Sequence, residues 1–177
     1  MPSHAVPPSP IIHINGFPGV GKLTVARALR ALFRSHHLSA RLVDNHLLID
    51  PASAILERTE EGYQSLRRAL RAAVFEPLAE NPTTYEHSYI FTDNQSTDLV
   101  GASVCAEYAE VARRRGCVLV SVVLSCDEAT NLQRVGSSER VARGGKLVDV
   151  SMLKLFRDKT VIHRFNKKGC SGSYARG

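Results

Sequence analysis

Hydrophobic residues change their spacing along this chain in a regular way, and the changes mark out alternating strands and helices. The run Ile11, Ile12, His13, Ile14 is short, β-branched and followed at once by a glycine turn, as in a buried strand. From Leu23 the period lengthens. Val25, Leu29, Leu32 and Phe33 fall at helical spacing, while Arg27, Arg30 and Arg34 recur on another face that reads as solvated. A second strand is expected over Ala40 to Asp44. After an irregular patch comes a long helix with Leu66, Leu70, Val74 and Leu78 on one side; it should stop near Asn81-Pro82, because the residue before proline avoids helical geometry. Ser88 to Thr92 reads as a third strand ending at Asp93. The next helix turns Val100, Val104, Tyr108 and Val111 inward, and Arg113 to Arg115 followed by Gly116 suit its C-terminus. Cys117 to Leu124 is nearly continuous apolar sequence, the pattern of a strand covered on both faces, and Ser125 with Glu128 resembles a capping box. A basic helix near Met152 to Lys159 follows.

Strands that alternate with helices predict a parallel α/β sheet. A chain of 177 residues holds one such core but not two domains with a linker. Residues 1–10 contain four prolines and read as a flexible leader, residues 11–165 as the domain, and residues 166–177 as a small, polar, flexible tail. With 44% hydrophobic and 23% charged residues, the composition leaves little room for extensive disorder, and a folded chain is expected. No run reaches the roughly 20 apolar residues of a membrane span and the first residues lack a signal-peptide core, so the expectation is a cytoplasmic protein with no membrane contact. Cys105, Cys117, Cys126 and Cys170 form no CxxC pair and read as reduced thiols.

The segment Gly16-Phe17-Pro18-Gly19-Val20-Gly21-Lys22 fits the GxxxxGK core of a Walker A phosphate loop, with a predicted strand before it and a predicted helix after it. Glycines let the backbone approach phosphates, amides at a helix N-terminus attract the anion, and Lys22 can reach the β- and γ-oxygens. Gly16, Pro18, Gly19, Val20, Gly21, Lys22, Leu23 and Thr24 are therefore the candidate nucleotide contacts. Leu23 stands where a Ser or Thr hydroxyl usually meets Mg²⁺, and Thr24 comes one position later. Either Thr24 turns toward the metal, or water replaces the hydroxyl and Thr24 is an ordinary residue of the first helical turn.

The string GFPGVGKLTVARALR, the triplet Asp44-Asn45-His46 and the later RVGSSERVARGGKL resemble the small kinase-like P-loop proteins, an AAA-type ATPase group around chloramphenicol phosphotransferase and the shikimate, gluconate and adenylate kinases. The resemblance runs from about Ile11 to about Leu155. It implies a three-layer α/β/α P-loop NTPase fold with a parallel, kinase-like sheet, ATP and Mg²⁺ as cofactors, an acceptor pocket beside the second strand, and an arginine-bearing lid at about residues 134–149. Such kinases add a fifth parallel strand after the lid helix; here the chain reaches Phe165 and then a glycine-rich stretch, so the last strand is expected to be lacking.

Within that framework Asp44 is a candidate base or acceptor ligand, or else a turn-forming residue. Asn45, His46 and Asn94 are candidate acceptor contacts, with Gln95 beside them. Asp93 occupies a Walker-B-like position for Mg²⁺, equally the place of a strand-ending turn. Arg134 and Arg140 could bridge the transferring phosphoryl oxygens, with Arg143 and Lys146 nearby, or form a solvated basic loop.

The formal charge of +6 favours anionic partners and cannot choose among them. Aromatics make up only 6%, without tryptophan and not interleaved with the basic clusters, so stacking platforms for nucleic acid are not evident. The expected activity is an ATP-dependent phosphotransferase that moves the γ-phosphate to a small hydroxyl-bearing molecule. The alternatives are a catalytically impaired nucleotide-binding regulatory module and a polynucleotide-end kinase or ATPase.

Overall fold

A computed structural model describes residues 7–137 and 149–165. Strands β1 (Ile11–Asn15), β2 (Ala40–Asp44), β3 (Ser88–Asp93) and β4 (Leu119–Val123) form one sheet in the order β2-β3-β1-β4, and every neighbouring pair is parallel. β1 is central and buried along its whole length, as its continuous apolar sequence requires. Its residues divide between two cores. Ile12 and Ile14 pack with Ile90, Ala40 and the Ala26, Leu29 and Phe33 side of α1 (Lys22–Ser35). Ile11 faces the other way, toward Phe75 and Leu78 of α3 (Tyr63–Glu80) and Val104, Tyr108 and Val111 of α4 (Leu99–Arg115). The result is the three-layer α/β/α arrangement expected from the sequence.

Three local expectations are corrected. In α1 the packed stripe is Ala26, Leu29 and Phe33, so Leu29 and Phe33 face the core as expected, whereas Val25 and Leu32 are exposed and the fully buried position is the small Ala26. Val100 is also exposed, because it lies in the first turn of α4 before the helix reaches the core. β4 is shorter than predicted and only partly covered: Leu119 packs on the α3/α4 core and Val122 on the α1 core, but neither face is fully buried. Val118 and Val120 are exposed, and among the described residues β4 pairs only with β1.

The irregular patch after β2 contains a further helix, α2 (His46–Ser53), which packs on α3. Pro51 within it interrupts the helical pattern of the sequence. Helix α5 (Glu128–Val135) is capped by Asp127, whose side chain accepts from Thr130 N, and not by Ser125. α6 (Val150–Lys159) packs against α5. Beyond α6 the described residues, 160–165, add no strand to the parallel sheet. They run back to the end of β3, where Ser96 and Ile162 form an antiparallel bridge, His163 N donates to Gln95 O at 2.9 Å and Thr97 N donates to Val161 O at 2.9 Å. Phe165 then packs against the α3/α4 core.

Arg115, read from the sequence only as a helix-end charge, is 2% exposed and acts as a staple. Its guanidinium donates to the carbonyls of Ser9, Leu78, Thr84 and His87 and to the Thr84 hydroxyl. Ser9, placed in the leader by the sequence, is thus anchored, and its own N–H donates to Tyr85 O at 2.8 Å. No described helix is long and apolar enough to cross a membrane.

Candidate active site

The carboxyl ends of β1, β2 and β3 open into one cavity of about 1160 Å³. Open α/β sheets bind ligands at this edge, since helix N-termini and loops converge there. The loop after β1 turns sharply because its glycines permit contacts that no side chain would. A Cβ on Gly16 would lie 2.5 Å from Leu124 O. Gly19 has φ +86°, and a Cβ there would meet Val135 Cγ2 at 2.6 Å and Asn131 Nδ2 at 2.7 Å, both on α5. α1 begins immediately after Gly21, and its first helical bond runs from Val25 N to Gly21 O at 3.0 Å. The Leu23 and Thr24 amides are therefore not used by the helix ladder. Pro18, Gly19, Val20, Gly21, Lys22, Leu23 and Thr24 all line the cavity. Lys22 Nζ folds back to donate to Gly16 O at 2.6 Å and Phe17 O at 2.8 Å, which places the ammonium across the mouth of the loop.

Three residues that no sequence motif marks hold this loop in shape. Asn131 of α5 is fully buried; its Nδ2 donates to Pro18 O at 2.7 Å, and its Oδ1 accepts from Arg157 Nη1 of α6 at 2.9 Å. The Arg157 guanidinium also lies 5.3 Å from the centroid of the Phe17 ring. At the loop's start, Asn15 Oδ1 accepts from Gly16 N and Gln95 N, while its Nδ2 donates to Gln95 O and His163 O. Neither asparagine nor Arg157 stood in a recognisable motif, so only tertiary contact reveals them.

On the other side, Asp44 ends β2. Its Oδ1 accepts from Thr92 Oγ1 at 3.1 Å and from His46 N at 3.4 Å, and no described residue donates to its Oδ2. Asn45 precedes α2, with its N–H donating to Thr92 Oγ1 at 3.4 Å. His46 Nδ1 pairs with Asp50 Oδ1 at 3.0 Å, one helical turn on. Asp44, Asn45, His46 and the exposed Asn94 line the same cavity as the phosphate loop, as does Arg134 of α5. Arg140, Arg143 and Lys146 lie outside the described residues, as does most of the segment read as a lid.

Asp93 is 1% exposed and heavily engaged. Oδ1 accepts from Asn94 N and Gln95 Nε2, each at 2.8 Å; Oδ2 accepts from Tyr108 Oη at 3.3 Å and lies 3.8 Å from His13 Nε2. Burial acts to raise the carboxyl's pKa, but the His13 imidazole and these donors outweigh it and hold the group below the usual carboxylate range. Gln95, itself buried, donates to Asp93 and, unlike Asn94, does not line the cavity. Arg58 and Arg67, not singled out from the sequence, also line the cavity. Burial pulls the Arg67 pKa down, with Asp93 and Tyr63 acting against that shift.

The fold is that of the P-loop kinases, an α/β class defined by this sheet and this loop. A candidate kinase from Chloroflexus aurantiacus is similar over 84% of this chain and 76% of its own, with a TM-score of 0.58 at 16% identity. APS kinase of Mycobacterium tuberculosis, solved with AMPPNP and APS, covers 78% of this chain and 75% of its own at a TM-score of 0.53 and 16% identity. Shikimate kinase of Acinetobacter baumannii, solved with shikimate, covers 85% and 73% at a TM-score of 0.50 and 22% identity. No protein-family model matches the sequence, and no curated protein matches it either.

Proposed function

We propose that this protein is an ATP-dependent phosphotransferase that moves the γ-phosphate of ATP to the hydroxyl of a small molecule. The observation that carries the reading is the single cavity shared by the phosphate loop, Gly19 to Thr24, and the carboxylate of Asp44. Phosphoryl transfer asks a protein mainly for alignment and charge stabilisation, and both are supported here. The loop amides and Lys22 hold the β- and γ-phosphates. Asp44, fixed through Oδ1 by Thr92, presents its other oxygen to the acceptor hydroxyl as base or ligand. His46, held by Asp50, and Asn45 and Asn94 orient the acceptor. Arg134 reaches the phosphoryl oxygens from α5, and Arg140, outside the described residues, is a second candidate for the same task by its sequence position alone. Mg²⁺ would neutralise the nucleotide's phosphate charge; Thr24, exposed in the first turn of α1, is its candidate holder, and Asp93, with its oxygens engaged by protein donors, acts on it only through water.

The test is transfer of labelled γ-phosphate from ATP with Mg²⁺ to pooled hydroxylated metabolites, with Lys22→Ala as control. A labelled product that disappears in the control supports the reading; nucleotide binding without transfer to any pool sinks it. That second result would favour a nucleotide-binding module without transfer, a reading motivated by Leu23 at the hydroxyl position and by the engaged Asp93 carboxylate.

A further inference from the structure

Helix α3 carries three arginines in its first half, and they differ in what they touch. Arg71 makes a two-pronged bond to Glu107 of α4, Nε to Oε2 at 2.7 Å and Nη2 to Oε1 at 3.1 Å. Arg68 donates to Ser103 Oγ and lies 3.4 Å from Glu107. Arg67 points the other way, into the cavity. Its Nε is buried and has no hydrogen-bond partner among the described residues. Its guanidinium carbon lies 6.0 Å from the centroid of the Tyr63 ring, and the Asp93 carboxylate acts on it as a counter-charge, but neither is hydrogen-bonded to its in-plane donors. A guanidinium presents its donors as a rigid planar fork that fits a carboxylate or phosphate, and leaving a buried donor of a charged group unpaired is costly. Arg58, exposed on the connection between α2 and α3, lines the same wall and adds a second positive charge near Arg67.

Neither arginine belongs to the phosphate loop, which has Lys22 and its own amides for the nucleotide. They stand instead on the elements that follow Asp44 and His46. We infer that Arg67, assisted by Arg58, forms an anion subsite for the acceptor, so that the molecule phosphorylated is a hydroxyl-bearing carboxylate or phosphate ester and not a neutral alcohol. The inference rests on the phosphotransferase reading for the word acceptor, but the subsite itself is testable without turnover. Arg67 supplies its paired N–H donors to two oxygens of the anion, Arg58 adds long-range attraction at the cavity mouth, and the acceptor's hydroxyl end is left toward Asp44. A neutral analogue would leave the Arg67 donors unpaired, which is a strong basis for discrimination.

The experiment uses the full chain with MgAMPPNP present, so that added anions do not occupy the phosphate loop. Gluconate, glycerol 3-phosphate and neutral glycerol are titrated separately while the Arg67 Nε–Hε resonance is followed by NMR, and affinities are measured by calorimetry. Saturable movement of that resonance with gluconate or with glycerol 3-phosphate, but not with glycerol, supports the subsite and says which oxyanion it prefers. Affinity should fall about tenfold or more in Arg67→Gln, as expected for loss of a charge-assisted bond. Arg67→Lys should recover part of the loss, and Arg58→Gln should cost less. An Arg67 resonance unmoved by both anions, or glycerol bound as tightly as they are, overturns the inference. AMPPNP affinity measured on the same samples reports separately on the nucleotide site, so a failed phosphotransferase reading is not confused with a failed subsite.

Discussion

Replacing Gly19 by alanine should be far more damaging than the same change at Gly21, although both glycines belong to the phosphate loop and both have positive φ, +86° and +96°. A non-glycine residue held in this left-handed region costs about 1–2 kcal/mol, and both variants bear that cost. Only Gly19 has a steric cost as well. Its Cβ would be 2.6 Å from Val135 Cγ2 and 2.7 Å from Asn131 Nδ2, whereas nothing lies within 4 Å of a Cβ at Gly21. Val135 and Asn131 are fully buried on α5, so the clash cannot be relieved by swinging a side chain into solvent. Overpacking of this kind costs roughly 1–3 kcal/mol. The sum is roughly 2–5 kcal/mol for Gly19→Ala against about 1–2 kcal/mol for Gly21→Ala. Urea denaturation at equal m-values measures the difference. Gly19→Ala should also weaken the Asn131–Pro18 bond that shapes the loop, and so reduce nucleotide affinity. Equal destabilisation by the two substitutions, or a milder effect at Gly19, would refute the claim that α5 is packed directly on the loop.

Arg157→Ala removes the donor to Asn131 and the cation over Phe17 without touching the cavity's lining; it should weaken MgATP binding roughly three- to tenfold, read by calorimetry, while leaving acceptor binding unchanged. Arg115→Met should destabilise the fold by roughly 3–5 kcal/mol in urea denaturation, because four buried or part-buried carbonyls lose their donor together. Asp98 caps α4 by accepting from Gly101 N at 2.8 Å, and this bond, with Ser96 adding to it, holds its carboxyl below the usual carboxylate range. Its stabilisation is therefore complete above the unfolded-state pKa of about 3.9 and is lost as pH falls through the lower folded value. Asp98→Ala should cost about 1 kcal/mol at pH 7, and the gap from the unaltered protein should close on acidification through that window.

Much of the fold was legible because strands and helices differ in period. β1 and β3 came out nearly with their observed bounds, since buried parallel strands carry continuous apolar runs, and β2 matched its bounds although it is a partly exposed edge strand that carries Arg41 and Asp44. β4 looked the same in sequence yet lies at an edge, because apolar content reports burial in general and not which neighbour supplies it. The phosphate loop could be read since its glycines and lysine are local to one turn. Asn15, Asn131, Arg157 and Arg67 could not, since each acquires its role from contacts across the chain: Arg157 lies 26 residues from Asn131, and Asn131 113 residues from Pro18. Asp93 shows the reverse limit. A carboxylate at the end of β3 was predicted, but its engagement by Gln95, Tyr108 and His13 depends on packing between β3, α4 and β1.

The most direct test of the central claim is calorimetric titration of MgAMPPNP into the intact protein and into Lys22→Ala. Stoichiometric, saturable binding that weakens about tenfold or more in the variant is the predicted result, as expected for loss of a charged donor to phosphate. Absence of binding to the intact protein, or equal affinity in the two, would contradict the assignment of Gly16 to Thr24 as the phosphate cradle.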